Sequence, residues 1–227
     1  MSLDGASTGF EVDLGVFYTL ARTWHEDVTL AGADTILAQE QELAAAERPG
    51  PAPLGPLLAV VDSRYRVRQW EALRDCGYWS GVVALRGSHV PADRPPGQAG
   101  TSAAPERLPV PELVTGGERV DLGTALAALA VSHSAGLVRV DSGGALTGAL
   151  LRQGLVDEVS LLVHPVLAGP AGIRRWHGAL PAPALHLQRL HAEPLTDGLV
   201  WLRYRVPHQP ENEGAGAGPH VSAAPAA

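Results

Sequence analysis

Short apolar runs recur along the first half of the chain, separated by segments with a helical or turn-like pattern. Residues 27–32, 57–62 and 79–85 are apolar runs of a length that suits buried β-strands. Between them, residues 33–46 and 70–76 have the pattern of helices or turns, and the breaker run RPGPAPLGP follows the first of these. This alternation predicts parallel strands covered on both faces.

The second half of the chain continues the alternation and then changes its period. Residues 121–134 predict a helix with leucines on one face, and the apolar runs 136–140 and 159–163 flank a second helix that starts with small residues. Residues 185–192 and 199–206 instead alternate apolar and polar positions around a Thr-Asp-Gly turn, which is typical of an antiparallel hairpin. The whole pattern predicts an α/β, three-layer fold with a mostly parallel central sheet and an antiparallel C-terminal hairpin.

The predicted elements form one domain, residues 1–206. A chain of 227 residues with 45% hydrophobic content is long enough to bury one substantial core. Residues 87–109 are rich in Pro, Gly, Ala and Ser and predict a long surface loop, whereas residues 207–227 predict a disordered tail.

Charge and cysteine content exclude several classes of function. The chain has 17 basic and 24 acidic residues and a net charge of −7, so neither nucleic acid nor an anionic membrane is expected as a partner. Every basic residue is Arg, which excludes lysine Schiff-base chemistry. Cys76 is the only cysteine, and residues 25–27 lack the spacing of a zinc site, so no metal is expected. A signal-peptide pattern and a long apolar run are both absent, and we expect a cytoplasmic protein.

The residues that follow the predicted strands carry the candidate chemistry. Residues 141–144, Asp-Ser-Gly-Gly, form a turn between a strand and a helix, where backbone N–H groups and the helix N-terminus favour a phosphate. G-x-G-x-x-G does not occur, and a tight turn without a ligand is the alternative. Ligands of parallel sheets bind beyond the carboxyl ends of the strands, which predicts a single binding rim. The polar residues of this rim are residues 32–35, Asp62, Ser63, Arg86, residues 141–144 and His164.

Six motifs occur in an order that resembles a known family. They are SLDG at residues 2–5, GxxT at 32–35, DSR at 62–64, DSGGALTGALL at 141–151, LVDE at 155–158 and HPVLAG at 164–169. Each is weak alone. Together, and extending to about Val206, they resemble the reductase domain of bacterial riboflavin-biosynthesis deaminase-reductases, a branch of the dihydrofolate-reductase-like fold.

The resemblance implies an NADPH-dependent oxidoreductase that transfers hydride to a small, polar heterocycle, similar to 5-amino-6-(5-phosphoribosylamino)uracil reductase. It also implies that the protein forms a homodimer and that it binds a small-molecule substrate. By this resemblance the residues that hold NADPH are Gly32, Thr35, Ser63, Gly143, Gly144, Ala145, Leu146, Thr147 and Gly148. Asp4 and Asp141 are the candidate catalytic residues, for substrate orientation or proton supply.

Structural alternatives stay open for several of these residues. Asp141 could cap the following helix, and Asp4 could form a turn ahead of Gly5. Arginines near strand ends could bind a 2′-phosphate, which would favour NADPH over NADH, or could be solvated at the surface. These arginines are Arg64, Arg66 and Arg86. Adjacent Asp157 and Glu158 point to opposite faces of a strand and are interpreted as solvated charges rather than an acid–base pair.

Departures from the family's pattern concentrate on substrate contacts. Ala6 stands where the family often has a basic residue, Gln39 replaces an acidic residue, and residues 13–19 lack the family's serine-tryptophan patch. The deaminase motif P-C-x-x-C does not occur, since Cys76 is the only cysteine, and the H-x-E at residues 191–193 therefore lacks its partner motif. The alternative function is therefore a non-catalytic nucleotide- or ligand-binding module of the same fold.

The family also has a buried strand directly ahead of SLDG, whereas here Met1 immediately precedes that motif. Without that strand, two neighbouring strands would each expose unpaired backbone. We expect either that the true start lies upstream of Met1, which we favour, or that another segment takes this position.

Overall fold

Strands and helices alternate along the part of the chain that the computed structural model describes, residues 1–90, 108–178 and 184–207. The strands are β1 (Val28–Gly32), β2 (Leu57–Val61), β3 (Gly81–Arg86), β4 (Glu112–Val114), β5 (Val138–Val140), β6 (Glu158–Val163), β7 (Gln188–Pro194) and β8 (Val200–Arg205). The α-helices are α1 (Leu14–Ala21), α2 (Ala33–Ala38), α3 (Glu40–Ala45), α4 (Trp70–Asp75), α5 (Leu122–Ser132) and α6 (Gly144–Arg152).

The strands form two sheets. Five parallel strands are ordered β4-β3-β2-β1-β5, and three antiparallel strands are ordered β6-β8-β7. The C-terminal hairpin β7-β8 and its antiparallel pairing confirm the predicted hairpin, and the α/β class is confirmed as well. The two sheets are separate in the described residues, because β5 and β6 do not pair with each other.

Alternate residues of the parallel strands face two separate hydrophobic layers, as the period of a strand requires. Leu30 of β1 and Ala59 of β2 pack with α5 and α6 on one face. Ala31 and Val60 pack with α2 and α4 on the other face, where Trp70 is almost completely buried. Helices therefore cover both faces of the parallel sheet, which is the predicted three-layer arrangement.

One predicted helix is divided in the structure, and one strand was not predicted. The predicted helix 33–46 is divided at Gln39, whose dihedral angles (φ −110°, ψ 9°) end α2 before α3 begins. The short edge strand β4 was not predicted, because two prolines flank its start and only Leu113 is partly buried. Most of the predicted loop 87–109, namely residues 91–107, and the tail from residue 208 lie outside the described residues.

In the described parts of the chain, none of the helices combines the length and the apolar character needed to span a lipid bilayer.

Candidate functional site

The carboxyl ends of β1 and β5 are joined through the hydroxyl group of Ser142. Its Oγ accepts a hydrogen bond from the Gly32 amide (3.1 Å) and lies 3.3 Å from Oγ1 of Thr35. A Cβ on Gly32 would lie only 2.9 Å from this Oγ, so the close approach depends on glycine. Two of the predicted cofactor residues, Gly32 and Thr35, thus lie directly against the turn that starts α6.

The first turn of α6 leaves backbone donors available at the same rim. Gly143 is the N-cap of α6 and has no side chain with which to cap it. The first N–H groups of a helix have no intrahelical acceptor and lie at the positive end of its dipole. Gly143 and Ala145 are exposed, and a Cβ on Gly143 would meet nothing within 4 Å. This part of the predicted turn is accessible to an anionic ligand.

The other predicted residues of this helix face the protein interior. Leu146 belongs to the core between α6 and the parallel sheet. A Cβ on Gly144 would lie 2.1 Å from the Arg175 carbonyl oxygen, and one on Gly148 would lie 2.3 Å from the His177 carbonyl oxygen. These two glycines therefore allow residues 175–178 to pack closely on α6, a role that sequence alone did not separate from ligand binding. Thr147 is half-buried.

The loop after β2 is held by a buried carboxylate. Asp62 accepts hydrogen bonds from the amides of Arg66 (2.9 Å) and Val67 (3.0 Å) and from Nη1 of Arg86 (2.9 Å). Ser63, predicted to bind the cofactor, accepts from the Val120 amide (3.1 Å) and so ties this loop to the start of α5. Its hydroxyl proton is not used in that bond and can still be donated to a ligand.

The three arginines near the strand ends have different environments. Arg86 is completely buried, with its guanidinium 4.0 Å from the centre of the Tyr65 ring, so both predictions for it, phosphate binding and surface solvation, were wrong. Arg66 pairs with Asp34 at 2.7 Å on the surface. Arg64 is exposed. Arg64 and Arg66 therefore remain the candidates for a 2′-phosphate contact.

Both carboxylate oxygens of Asp4 are engaged by its own turn and by a neighbouring loop. Oδ1 accepts from the Ser2 hydroxyl and the Ala168 amide (3.1 Å), and Oδ2 accepts from the Gly169 amide (3.1 Å). These hydrogen bonds, led by the one from Ser2, lower the pKa of Asp4 to about 2. A carboxylate in this state can position a loop, but it carries no proton to donate near neutral pH.

Asp141 lies at the edge of a cavity of about 410 Å³ between α1, β5 and β6. It does not cap α6; its Oδ2 accepts from Nη1 of Arg139 (3.1 Å), and Nε of the same guanidinium donates to Glu26 (2.7 Å). Most of the remaining lining is apolar, for example Phe10, Phe17 and Leu150. Asp141 and Arg139 thus form a charged edge on an otherwise apolar cavity.

Two further titratable side chains belong to this region: Tyr18, which was not predicted, and His164, which was predicted only as part of the rim. Burial, and then the nearby Asp141 carboxylate, raises the pKa of Tyr18. His164, on the cavity wall, accepts a hydrogen bond from the Asp13 amide at Nε2 (3.2 Å), and burial lowers its pKa. Sequence analysis placed His164 on the rim as a strand-end residue, but the hydrogen bond from Asp13 could not be predicted from the sequence.

Asp157 and Glu158 form no acid–base pair, since Glu158 is bound by Arg203.

Solved structures of other proteins share this fold at low sequence identity. RibD of Acinetobacter baumannii is 19% identical with a TM-score of 0.63, over 91% of this chain and 55% of that one. A pyrimidine reductase-like protein of Corynebacterium diphtheriae is 15% identical with a TM-score of 0.62, over 92% of this chain and 90% of that one. A riboflavin biosynthesis reductase of Saccharomyces cerevisiae is 16% identical with a TM-score of 0.59, over 91% of this chain and 86% of that one.

The chain spans a little over half the length of the Acinetobacter RibD protein, so it corresponds to one part of that molecule. No significantly similar protein was found among curated sequences. The profile of the family described as the RibD C-terminal domain matches residues 18–201, which is most of the chain and includes the β1, β2 and β5 ends that form the rim. Members of this family are NAD(P)H-dependent reductases. The chain belongs to the RibD C-terminal domain family.

Proposed function

We propose that this protein is an NADPH-dependent reductase of a small, polar heterocycle, similar to 5-amino-6-(5-phosphoribosylamino)uracil reductase. The observation that carries the proposal is the contact of Ser142 with Gly32 and Thr35, which gathers the ends of β1 and β5 beside the accessible start of α6. Ligands of parallel α/β sheets bind at this edge.

The residues at this rim fit a dinucleotide. Backbone N–H groups of the first turn of α6 would receive a phosphate next to Gly143, where no side chain intrudes. The hydroxyl groups of Thr35 and Ser63 would donate to neighbouring parts of the cofactor. Arg64 is exposed beside them and supplies the positive charge that a 2′-phosphate requires.

The substrate would lie in the cavity beside Asp141. Its apolar walls suit a planar ring, and the charged edge formed by Asp141 and Arg139 suits polar ring substituents. Arg139 holds the Asp141 carboxylate in one orientation, so that it can accept hydrogen bonds from substrate N–H groups. Asp4 would act indirectly, by fixing the loop that contains Ala168 and Gly169.

When bound, NADPH supplies the hydride, and the protein contributes the relative positions of cofactor and substrate. Rim and cavity hold two ligands side by side, which lowers the entropic cost of bringing them together. The apolar walls, including Phe10 and Phe17, exclude water from the reacting faces.

The first test is a titration with NADPH and with NADH, followed by cofactor fluorescence. Two variants at one position separate charge from shape: Gly143→Asp and Gly143→Asn. Asp and Asn both cap helices well, so both should maintain or raise stability, yet only Asp places a negative charge against the phosphate. We expect G143D to weaken NADPH binding by more than about tenfold, with G143N changing it little.

Equal affinity of G143D and G143N for NADPH would contradict the proposed phosphate position. Absence of binding of either nucleotide to the unmodified chain at millimolar concentration would contradict the cofactor assignment itself. Binding without oxidation of NADPH, across pterins, ribosylaminopyrimidines, quinones and carbonyl compounds, would instead identify a non-catalytic binding module.

A further inference from the structure

The hydroxyl groups of Ser142 and Thr35 form a short hydrogen-bond chain at the rim. Oγ of Ser142 accepts a hydrogen bond from the Gly32 amide at 3.1 Å and lies 3.3 Å from Oγ1 of Thr35. Both contacts join residues more than a hundred positions apart in the sequence, and they form because β1 and β5 are neighbours in the sheet. Ser142 and Thr35 are both half-buried, so the pair is partly open to the rim.

The two hydroxyl groups have one proton more than the protein can accept. Each has one proton to donate and an oxygen that can accept. Among the residues that the structure describes, Oγ1 of Thr35 is the only acceptor for the Ser142 proton, and Oγ of Ser142 is the only acceptor for the Thr35 proton. One proton therefore lies between the two oxygens, and the other has to be donated to water or to a ligand.

The Gly32 amide favours one direction for this chain. By donating to Oγ of Ser142, it polarises that hydroxyl group and makes it a better donor, since hydrogen bonds in a chain strengthen one another. The favoured direction leads from the Gly32 amide to Ser142, from the Ser142 hydroxyl to Thr35, and outward from the Thr35 hydroxyl. The outward proton requires an acceptor, and a phosphate oxygen is a strong one.

We propose that Ser142 is a positioning residue for the nucleotide: it donates to Thr35, so that the Thr35 hydroxyl donates to a phosphate oxygen at the start of α6. This inference rests on the proposed reductase function, which places a dinucleotide phosphate beside Gly143. The position is consistent, because Ser142 directly precedes Gly143, the exposed N-cap of α6. Ser142 thus acts through Thr35 and does not itself bind the nucleotide.

A purely structural role for Ser142 is the competing explanation. Its bond with the Gly32 amide also joins the ends of β1 and β5, and loss of this bond would destabilise the protein with or without a nucleotide. Only a positioning role requires the hydroxyl group of Thr35. The two roles are therefore separated by measuring how much the effect of a Ser142 variant depends on that hydroxyl group.

The test is a pair of double-mutant cycles in the complete chain, with the dissociation constant of NADPH measured by cofactor fluorescence. Ser142→Ala is combined with Thr35→Val, which removes the second hydroxyl group, and with the matched control Thr35→Ser, which retains it. We expect Ser142→Ala alone to weaken NADPH binding by about three- to tenfold, as for the loss of one hydrogen bond. Its effect should be the same beside Thr35→Ser but should fall below about twofold beside Thr35→Val.

An equal effect of Ser142→Ala in all three backgrounds would overturn the proposal, because Ser142 would then act without Thr35. If the unmodified chain binds no NADPH, the proposed function fails as well, so failure of the inference alone is distinguishable from failure of both. A dissociation constant compares the bound with the free protein, so a loss of stability common to both does not enter it.

If Ser142→Ala does not fold, Ser142→Cys replaces it in the same cycles. A thiol is similar in shape to a hydroxyl group and is a weaker donor, so the same dependence on the Thr35 hydroxyl is expected. An effect of Ser142→Cys that persists beside Thr35→Val would equally overturn the proposal.

Discussion

Arg86 and Asp62 form an ion pair with no solvent exposure: Nη1 of the guanidinium lies 2.9 Å from Oδ2 of the carboxylate, and neither side chain is accessible. Removing one partner leaves the other charge buried without compensation. We therefore expect Asp62→Ala to lower the free energy of unfolding by about 3–5 kcal/mol. Urea denaturation of the purified variant measures this change.

The surface pair of Arg66 and Asp34 provides the control. It has a similar separation, 2.7 Å, but its side chains are 39% and 64% exposed. Asp34→Ala should change the free energy of unfolding by less than about 1 kcal/mol, because water screens an exposed pair. Equal losses in the two variants would show that the buried pair does not stabilise the loop after β2.

Gly148→Ala should destabilise the protein, because its Cβ would lie 2.3 Å from the His177 carbonyl oxygen and the backbone of residues 175–178 would have to move. We expect a loss of about 1–3 kcal/mol in the free energy of unfolding, measured by thermal or urea denaturation. Gly123→Ala, in α5, is the matched control: its Cβ would make only an ordinary contact at 3.6 Å from Asp121, and alanine favours helix. Gly148→Ala as stable as Gly123→Ala would refute the close packing.

Asp4 should titrate far below an ordinary aspartate. Its pKa falls from 3.8 to about 2 in the folded protein, so the ionised carboxylate stabilises the fold above pH 3.8, and this contribution is lost as the pH falls toward 2. Carboxyl ¹³C NMR should give a midpoint near 2. Asp4→Asn should melt at a lower temperature than the unmodified protein near neutral pH, with the difference shrinking in acid. A midpoint near 3.8 would contradict the hydrogen-bonded turn.

His164 should make stability depend on pH in a mildly acidic range. Burial, assisted by the Met1 amino group, lowers its pKa below 6.5, while the nearby Asp13 carboxylate acts in the opposite direction. The unfolded chain therefore binds a proton first as the pH falls through 6.5, and stability decreases from there until the folded-state pKa is reached. We expect His164→Gln to reduce this pH dependence of the melting temperature.

The alternation of apolar runs was sufficient to predict most of the fold. β1 and β2 fall within predicted runs and β3 overlaps a third, because burial on both faces leaves few polar residues in them. β4 could not be found in this way, since two of its three residues are exposed. The separation of the two sheets between β5 and β6 could not be predicted from periodicity, since apolar runs do not show which strands pair.

The candidate site was predictable at the level of loops but not of individual atoms. Gly32, Thr35 and Gly143 do lie at one rim, because the carboxyl ends of parallel strands lie along one edge. Gly144 and Gly148 illustrate the limit: glycine permits close approach, and only the three-dimensional structure shows that a backbone segment approaches them. Ser142 was predicted only as part of the turn at residues 141–144, because the partner of its hydroxyl group lies on a strand more than a hundred residues away.

Residues 174–178 touch both halves of the proposed site. The Arg174 carbonyl accepts from the Ser7 amide beside the SLDG turn, and the Arg175 carbonyl lies against Gly144 at the start of α6. A nucleotide that displaced the start of α6 would press on this segment, which is hydrogen-bonded to Ser7 beside the turn that holds Asp4. Linkage makes such an effect reciprocal: a heterocycle in the cavity, whose lining includes Ser7, would change the affinity for the nucleotide by the same factor. The proposed nucleotide and heterocycle would then each change the affinity of this protein for the other.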